Sequence, residues 1–350
     1  GHVWPGDTVF PDFTLISARK WWSEQVGQYL YDGIDGIWND MNDPATGSVD
    51  PHDMLFQKGS VEHHYFHNQY ANMMAKATNE GIIKAKPNLR PFVLTRSGYT
   101  GIQNHAAVWT GDNVANWTQL QMSIPQSLNL SISGASFNGP DVGGFYDKID
   151  EQLLIRWYQS GFLYPFFRNH KGSAFFMGKD PRVSLTCDEE LSSEPYAFKA
   201  ETKNDIKKYI NLRWKLMPYL YNQFYQHRTK GDAILRPLFY EFEDERYYSM
   251  NDQFMVGESI MQAPVITKEN KRTIDLPAGF WYDLNAKKWV EGGKTFEVKV
   301  DLYDTKIYVR DGAVIPMLPG DNFADCQKRQ NWEKVEFHLF SKEVESDSME

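Results

Sequence analysis

The sequence predicts an α/β chain that passes into an all-β segment, and three observations carry that expectation. Across the first ~200 residues short apolar runs alternate with helical patterns, the signature of βα units on a parallel sheet. From Arg236 onward the texture changes to short strand-like runs separated by Gly, Asn and Asp turns, as in a sandwich-like module. The 350 residues leave room for one large domain and one smaller one.

The strand candidates of the first part are Gly36–Trp38, Pro91–Thr95, Ala106–Trp109, Ala135–Phe137 and Tyr164–Phe167. Between them lie helical stretches near Val61–Lys84, Asn116–Ser131 (with Pro125 as an expected kink) and Ile149–Gly161. Lys203–Lys230 is a long helical pattern interrupted at Pro218. In the second part Asp252–Val256, Ile260–Ile266, Thr273–Leu276, Phe280–Leu284, Thr295–Val300, Lys306–Arg310 and Val335–Leu339 read as strands. The implied division is 1–235, 236–340 and a polar tail at 341–350 that is expected to fray.

Hydrophobic residues at 41% and charged residues at 24% fit a globular chain. A net charge of −9 with no Lys/Arg-rich run argues against a nucleic-acid partner, and no apolar run reaches membrane-span length. Cys187 and Cys326 stand far apart without metal spacing; a single disulfide is left open, but the usage favours free thiols in a reducing compartment, so that localisation is undetermined with the cytoplasm favoured. No cofactor or metal is expected, and an oligomer is left open. The chain opens at Gly1 without a Met, in a stretch that reads as mid-domain, so its true N-terminus is expected upstream. The 11 Trp and 19 Tyr suit either a bulky core or a site that packs aromatic faces against sugar rings, and composition leaves both open.

Polar and charged residues cluster at the end of every strand candidate in the first part. Gly36–Trp38 runs into Asn39, Asp40, Met41, Asn42 and Asp43; Pro91–Thr95 ends at Arg96 and Ala106–Trp109 at Asp112. Ala135–Phe137 ends near Asp141, and Tyr164–Phe167 at Arg168 and His170. In a (β/α)8 barrel such ends converge on one mouth, so these residues would line a polar pocket rimmed by Trp38, Trp109 and Phe145. One aspartate at a strand end is often only a helix cap; all of these ends in register are hard to explain that way. Two carboxylates flanking one glycosidic bond are the usual requirement of glycoside hydrolysis.

The run Gly36-Ile-Trp-Asn-Asp-Met-Asn-Asp-Pro44 resembles the nucleophile signature W-x-D-M-N-E of glycoside hydrolase family 31. The resemblance continues in order through Val3-Trp-Pro-Gly6, Val9-Phe-Pro-Asp-Phe-Thr14, Leu94-Thr-Arg-Ser-Gly-Tyr99 and Val108-Trp-Thr-Gly-Asp-Asn113. It extends to Asp141-Val-Gly-Gly-Phe145, Pro165-Phe-Phe-Arg-Asn-His170, Leu216-Met-Pro-Tyr-Leu-Tyr221 and Gly312-Ala-Val-Ile-Pro-Met317. It implies a partial (β/α)8 TIM barrel, strands 4–8 of the family's barrel, followed by the proximal β-domain. With a loop and one helix before Gly36, five parallel strands would leave the barrel open.

By that resemblance the chain is a retaining α-glycoside hydrolase, most like an α-glucosidase acting on an oligosaccharide or α-glucoside. Asp40 would be the nucleophile and Asp112 the general acid/base, with carboxyls about 5–6 Å apart. Trp38, Met41, Arg96, Trp109, Asp141, Phe145, Arg168 and His170 would bind the sugar, wall the site or brace the carboxylates. Arg96 beside Asp40 would favour the charged nucleophile, and a nearby negative charge would keep Asp112 protonated.

Two departures stand out: the signature's Glu is Asp43 here, and Asn138-Gly-Pro-Asp141 replaces the more usual Gly-Ala-Asp. Alternative readings within the same family are a related α-glycosidase, such as an α-xylosidase, α-galactosidase or sulfoquinovosidase, or an α-glucan lyase or transglycosidase. Trp-Asn-Asp-Met resembles the glucosidase form, whereas xylosidases and sulfoquinovosidases tend to carry Phe-Gly after the nucleophile. A reading of another class is an inactive carbohydrate-binding or subunit protein, opposed by the survival of both Asp40 and Asp112. His63, His64 and His67 contain an i,i+4 pair, but no H-E-x-x-H arrangement accompanies it. Asn116-Trp-Thr118 and Asn129-Leu-Ser131 fit the glycosylation pattern but fall on an expected helix.

Overall fold

The computed structural model describes residues 2–3, 6–172, 192–320, 332 and 334–343. Cys187 and Cys326 lie outside the described residues. The chain divides into two compact units, Gly1–Gly111 with Ser133–Asn138, and Asp112–Ile132 with Gly139–Glu350.

The first unit opens on a short antiparallel pair, β1 (His2–Val3) and β2 (Gly6–Asp7), followed by α1 (Ile16–Tyr31). Strand β3 (Ile37–Asn39) leads through a second short pair, β4 (Leu55–Phe56) and β5 (Val61–Glu62), into α2 (His63–Ala85). Parallel strands need a crossover, and α2 supplies it between β3 and β6 (Val93–Thr95). β3 and β6 pair in parallel, Ile37 opposite Val93 and Asn39 opposite Thr95; β6 then pairs with β7 (Ala107–Trp109), Leu94 opposite Ala107. Val26 and Leu30 of α1, Ile82 of α2 and Val93 of β6 share one buried cluster, so both helices cover the same side of the sheet. Both faces of β6 and β7 are buried, which is why those strands read as unbroken apolar runs.

The second unit holds α3 (Trp117–Ile132), which runs through Pro125. Its start is marked by Asn116, whose side chain accepts from the Gln119 amide at 2.8 Å as a helix N-cap does. Strand β8 (Asn138–Gly139) is fourth in the sheet order β3-β6-β7-β8, and its second residue already belongs to the second unit. After it come β9 (Asp141–Val142), α4 (Glu151–Gly161), β10 (Arg168–Asn169), α5 (Ala200–Lys215) and α6 (Met217–Lys230). Asp150 caps α4 by accepting from the Leu153 amide at 2.8 Å. The long helical pattern breaks at Leu216, and Pro218 sits in the first turn of α6, where its missing N–H costs no helical bond.

A six-stranded antiparallel sheet follows, in the order β11-β12-β13-β18-β15-β16. Its strands are β11 (Leu235–Pro237), β12 (Phe254–Val256), β13 (Ile260–Ala263), β15 (Phe280–Asp283), β16 (Lys288–Glu291) and β18 (Lys306–Arg310), with α7 (Leu238–Glu241) after β11. β14 (Lys271–Leu276) pairs with β17 (Lys294–Lys299), and β19 (Ala313–Met317) with β20 (Glu336–Phe340). The period of two decides what each face meets. Met255, Met261, Trp281 and Tyr308 turn toward Ile274 and Leu276 of β14, one core of the sandwich. Phe254, Val256, Ile260, Ile307 and Val309 turn the other way, onto Leu120, Ile124, Trp157, Tyr209 and Leu220 of the helices.

Two of the expected strands are displaced. Ala135–Phe137 is not a strand: the Asn138 amide donates to the Ser136 carbonyl at 3.0 Å and its side chain to that of Ala135 at 2.8 Å, so this backbone turns on itself and β8 begins at Asn138. Tyr164–Phe167 is likewise irregular, and the strand is Arg168–Asn169. Two carbonyls of Tyr164–Phe167 are claimed by Arg213, whose guanidinium donates to Tyr164 at 2.7 Å and Pro165 at 3.1 Å, and also to Phe162 at the end of the preceding helix at 2.7 Å. β11, β16 and β19 were not among the expected strands.

Candidate active site

In the first unit the parallel sheet delivers Asp40 and Arg96 to the same end. The Arg96 amide donates to the Asn39 carbonyl at 3.0 Å, extending the β3–β6 ladder by one bond and fixing where each chain leaves the sheet. Asp40 follows β3 directly and is exposed; its Oδ1 accepts from the Met41 amide at 2.9 Å. Met41 has φ +57°, a left-handed conformation that costs a non-glycine residue about 1 kcal/mol or more and that tends to persist where function demands it.

The Arg96 guanidinium is divided among three neighbours. Nη1 donates toward the Met41 sulfur and lies 3.8 Å from Asp40 Oδ1, while Nη2 donates to Asp43 Oδ2 at 3.1 Å. Ser97 donates its hydroxyl to the other Asp43 oxygen. Asn42, 2% exposed, donates to Thr95 Oγ1 at 2.8 Å and accepts from the Ser97 amide at 3.1 Å. The turn after β3 is therefore stitched onto the residues after β6. Trp38, half-exposed, meets the buried Trp109 edge-to-face with ring centroids 5.4 Å apart. Trp38, within β3, and Asp40, Met41, Arg96 and Trp109, at or just beyond the ends of β3, β6 and β7, thus all lie in this unit.

Asp112, exposed, begins the second unit. Its neighbour Asn113 is buried and anchors the segment: Nδ2 donates to the Asp141 carbonyl at 3.0 Å, and Oδ1 accepts from the Phe145 amide at 3.0 Å. The Asn113 carbonyl also accepts from the Phe145 and Tyr146 amides, and the Ala115 amide donates to Tyr146. Asp141 is fully buried and pairs across the β9–β10 register with Arg168, whose Nη2 lies 2.5 Å from its Oδ1. Arg168 also stacks over the Phe166 ring at 5.3 Å. Phe145 is buried beside His170, ring centroids 5.1 Å apart. Burial, and then the Arg168 charge, push His170 down to about 4, so at neutral pH it is an uncharged imidazole able both to donate and to accept. Asp112, Asp141, Phe145, Arg168 and His170 are the expected site residues of this unit.

Two glycines are required by close approach. A Cβ on Gly139 would lie 1.9 Å from the Phe166 carbonyl oxygen, which accounts for glycine in the unusual Asn138-Gly-Pro-Asp141 run. At Gly144, φ is +83° and a Cβ would lie 2.5 Å from the Ala115 backbone. Gly144→Ala should therefore lower the melting temperature by several degrees, since both strain and a backbone clash oppose the methyl. A melting temperature equal to wild type would show that the two segments are not held together as tightly as these bonds imply.

Asn42, Ser97 and Asn113 are polar residues that the reading of the sequence left without a role. Each sits inside a quoted motif, next to an assigned residue, and that adjacency was the available signal. His63 is buried, stacked on Phe56 at 5.6 Å and hydrogen-bonded to His67 at 2.8 Å, and His64 pairs with Glu62 at 3.2 Å. Among the described residues no group of three or more His, Cys, Asp or Glu side chains is placed to hold a metal ion. No helix of the described residues is long and apolar enough to cross a membrane.

Comparison with known proteins agrees with this parallel-sheet and β-sandwich order. The TIM-barrel domain of glycosyl hydrolases family 31 matches residues 1–223, and the C-terminal domain of that family matches residues 231–315. The chain belongs to glycosyl hydrolase family 31. It is 40% identical over 324 residues to "Alpha-glucosidase 2" of Bacillus thermoamyloliquefaciens, covering 91% of this chain and 39% of that protein. It is 33% identical over 353 residues to "Alpha-glucosidase" of Saccharolobus solfataricus, covering 92% and 48%. Among solved structures, a Flavobacterium johnsoniae GH31 dextranase complexed with isomaltotriose superposes with TM-score 0.83 at 28% identity, covering 95% of this chain and 40% of that one. The glucosidase II alpha subunit superposes with TM-score 0.82 at 32% identity, covering 92% and 35%. The chain spans less than half the length of these relatives.

Proposed function

We propose that the protein is a retaining α-glucosidase that releases glucose from the non-reducing ends of α-glucosides, with Asp40 as nucleophile and Asp112 as general acid/base. The observation that carries this reading is the state of Asp40. It stands exposed at a strand end, with a guanidinium near it, and both the Met41 amide and Arg96 approach the same oxygen, Oδ1. Oδ2 is left for attack. Support for the sugar comes from relatives named α-glucosidases and from a structural neighbour holding isomaltotriose.

In the first step Asp40 forms a bond to the anomeric carbon as the bond to the leaving oxygen breaks, and Asp112 gives that oxygen its proton. The product of this step is a β-glucosyl ester on Asp40. In the second step Asp112, now a carboxylate, takes a proton from water; the water oxygen bonds to the anomeric carbon, and Asp40 leaves as a carboxylate. Two inversions return the α configuration. Arg168, steadied by the buried Asp141, and neutral His170, a donor–acceptor, are suited to sugar hydroxyls.

Proton NMR of early product from the full-length protein, with aryl and methyl α-glucosides as substrates so that all glucose comes from the glycosyl side, tests the reading. The expected first product is α-glucose, which then mutarotates. β-Glucose as the first product would exclude retention, an unsaturated sugar would indicate a lyase, and no turnover of any α-glucoside would favour an inactive relative.

A further inference from the structure

We propose that Asp43 is a positioning residue, a carboxylate that holds the Arg96 guanidinium back from the nucleophile and is itself steadied by the Ser97 hydroxyl. The inference rests on the reading of Asp40 as nucleophile and adds to it a residue that touches no reacting atom.

The geometry of one guanidinium carries the inference. Arg96 Nη2 is within hydrogen-bond distance of Asp43, at 3.1 Å, while Nη1 stands 3.8 Å from Asp40, beyond it. A guanidinium offers two parallel donors that fit a carboxylate side-on, typically at about 2.7–2.9 Å. Left free beside Asp40, Arg96 would close onto it in that manner. A nucleophile committed to two charge-assisted hydrogen bonds would have its lone pairs occupied when it must attack. Held at 3.8 Å, the guanidinium stays near the carboxylate without bonding to it and leaves its second oxygen open.

What holds Arg96 there is built from this chain's own departure from the family signature. Aspartate in place of glutamate shortens the arm by one methylene. Asp43 nevertheless reaches Arg96 with one oxygen and accepts from Ser97 with the other. The backbone beneath it is fixed independently of Asp40, because buried Asn42 bonds to both Thr95 and the Ser97 amide. Ser97 is next in sequence to Arg96, so Asp43 grips two consecutive residues, one through its hydroxyl and one through its charge.

The test is a set of variants of the full-length protein, with kinetics measured on aryl α-glucosides across pH. Asp43→Asn should lower kcat by about tenfold to a hundredfold, the cost of misplacing a reacting group by about an ångström. It should also move the acid limb of kcat/KM to lower pH, because Arg96 closes on Asp40 and a negative neighbour is gone. Ser97→Ala changes no charge and should shift the same limb in the same direction by less, while Asp43→Glu, which keeps the charge, should restore the wild-type limb. An unshifted limb with wild-type kcat in both Asp43→Asn and Ser97→Ala would overturn the proposal. If Asp43→Asn fails to fold by circular dichroism, Ser97→Ala decides alone by the same criterion. A crystal structure of Asp43→Asn separates this proposal from the functional reading. Arg96 in direct contact with Asp40 supports the tether even if the protein has no glucosidase activity, and Arg96 unmoved refutes it even if the protein is a glucosidase.

Discussion

Asp40→Ala should remove turnover on every α-glucoside, by about four orders of magnitude or more, because no other group can form the ester that divides the reaction into two steps. The loss should not depend on the leaving group, since nothing downstream of a missing nucleophile can compensate for it. It should fall on kcat, with the fold unchanged by circular dichroism, because Asp40 is exposed and, among the described residues, its side chain hydrogen-bonds only to the adjacent Met41 amide. A small external anion such as azide should restore part of the rate and give a β-glucosyl adduct, by attacking from the side the carboxylate vacated. Activity within about tenfold of wild type would remove Asp40 from the chemistry, since a covalent nucleophile cannot be lost so cheaply.

Asp112→Ala should separate substrates instead of abolishing them all. General acid catalysis contributes about 10²–10⁴-fold where the leaving oxygen needs a proton. Natural α-glucosides, with poorly departing sugar oxygens, should lose a factor of that order. A nitrophenyl or fluoride leaving group needs little protonation and should retain most of its glycosylation rate, after which the ester accumulates because water lacks its base. The variant should therefore show a burst of leaving group followed by a slow steady state. Equal losses on activated and unactivated substrates would mean that Asp112 does not handle the proton.

The positions of the candidate site residues are easier to read in the sequence than what supports them. Asp40, Arg96 and Asp112 could be placed because strand ends in a parallel sheet are marked by an abrupt change from apolar to polar residues, as at Trp38-Asn39-Asp40 and Leu94-Thr95-Arg96. Helix ends were similarly legible wherever a side chain supplies the cap or a proline sets the start, as at Asp150 and Pro218. The strands leading to Asp141 and Arg168 are displaced by a few residues for different reasons: before Asp141 the Asn138 amide and side chain turn the backbone on itself, and before Arg168 the distant Arg213 takes the Tyr164 and Pro165 carbonyls that the local sequence would offer to a sheet. The roles of Asn42, Ser97 and Asn113 were equally hidden, because a short polar side chain looks the same in sequence whether it faces water or fixes a buried turn. Asn42 and Asn113 are both buried, and only the fold distinguishes them from surface asparagines.

The claim on which the rest depends is that Asp40 becomes covalently bonded to the sugar. The most direct measurement uses a 5-fluoro-α-glucosyl fluoride, whose good leaving group allows the ester to form while the ring fluorine slows its hydrolysis. The full-length protein would be incubated with this compound, digested at low pH and mapped by mass spectrometry. The expected result is one added fluoroglucosyl group on the peptide containing Asp40, absent from the Asp40→Ala variant. A label on any other carboxylate, or fluoride release with no label at all, would contradict the account.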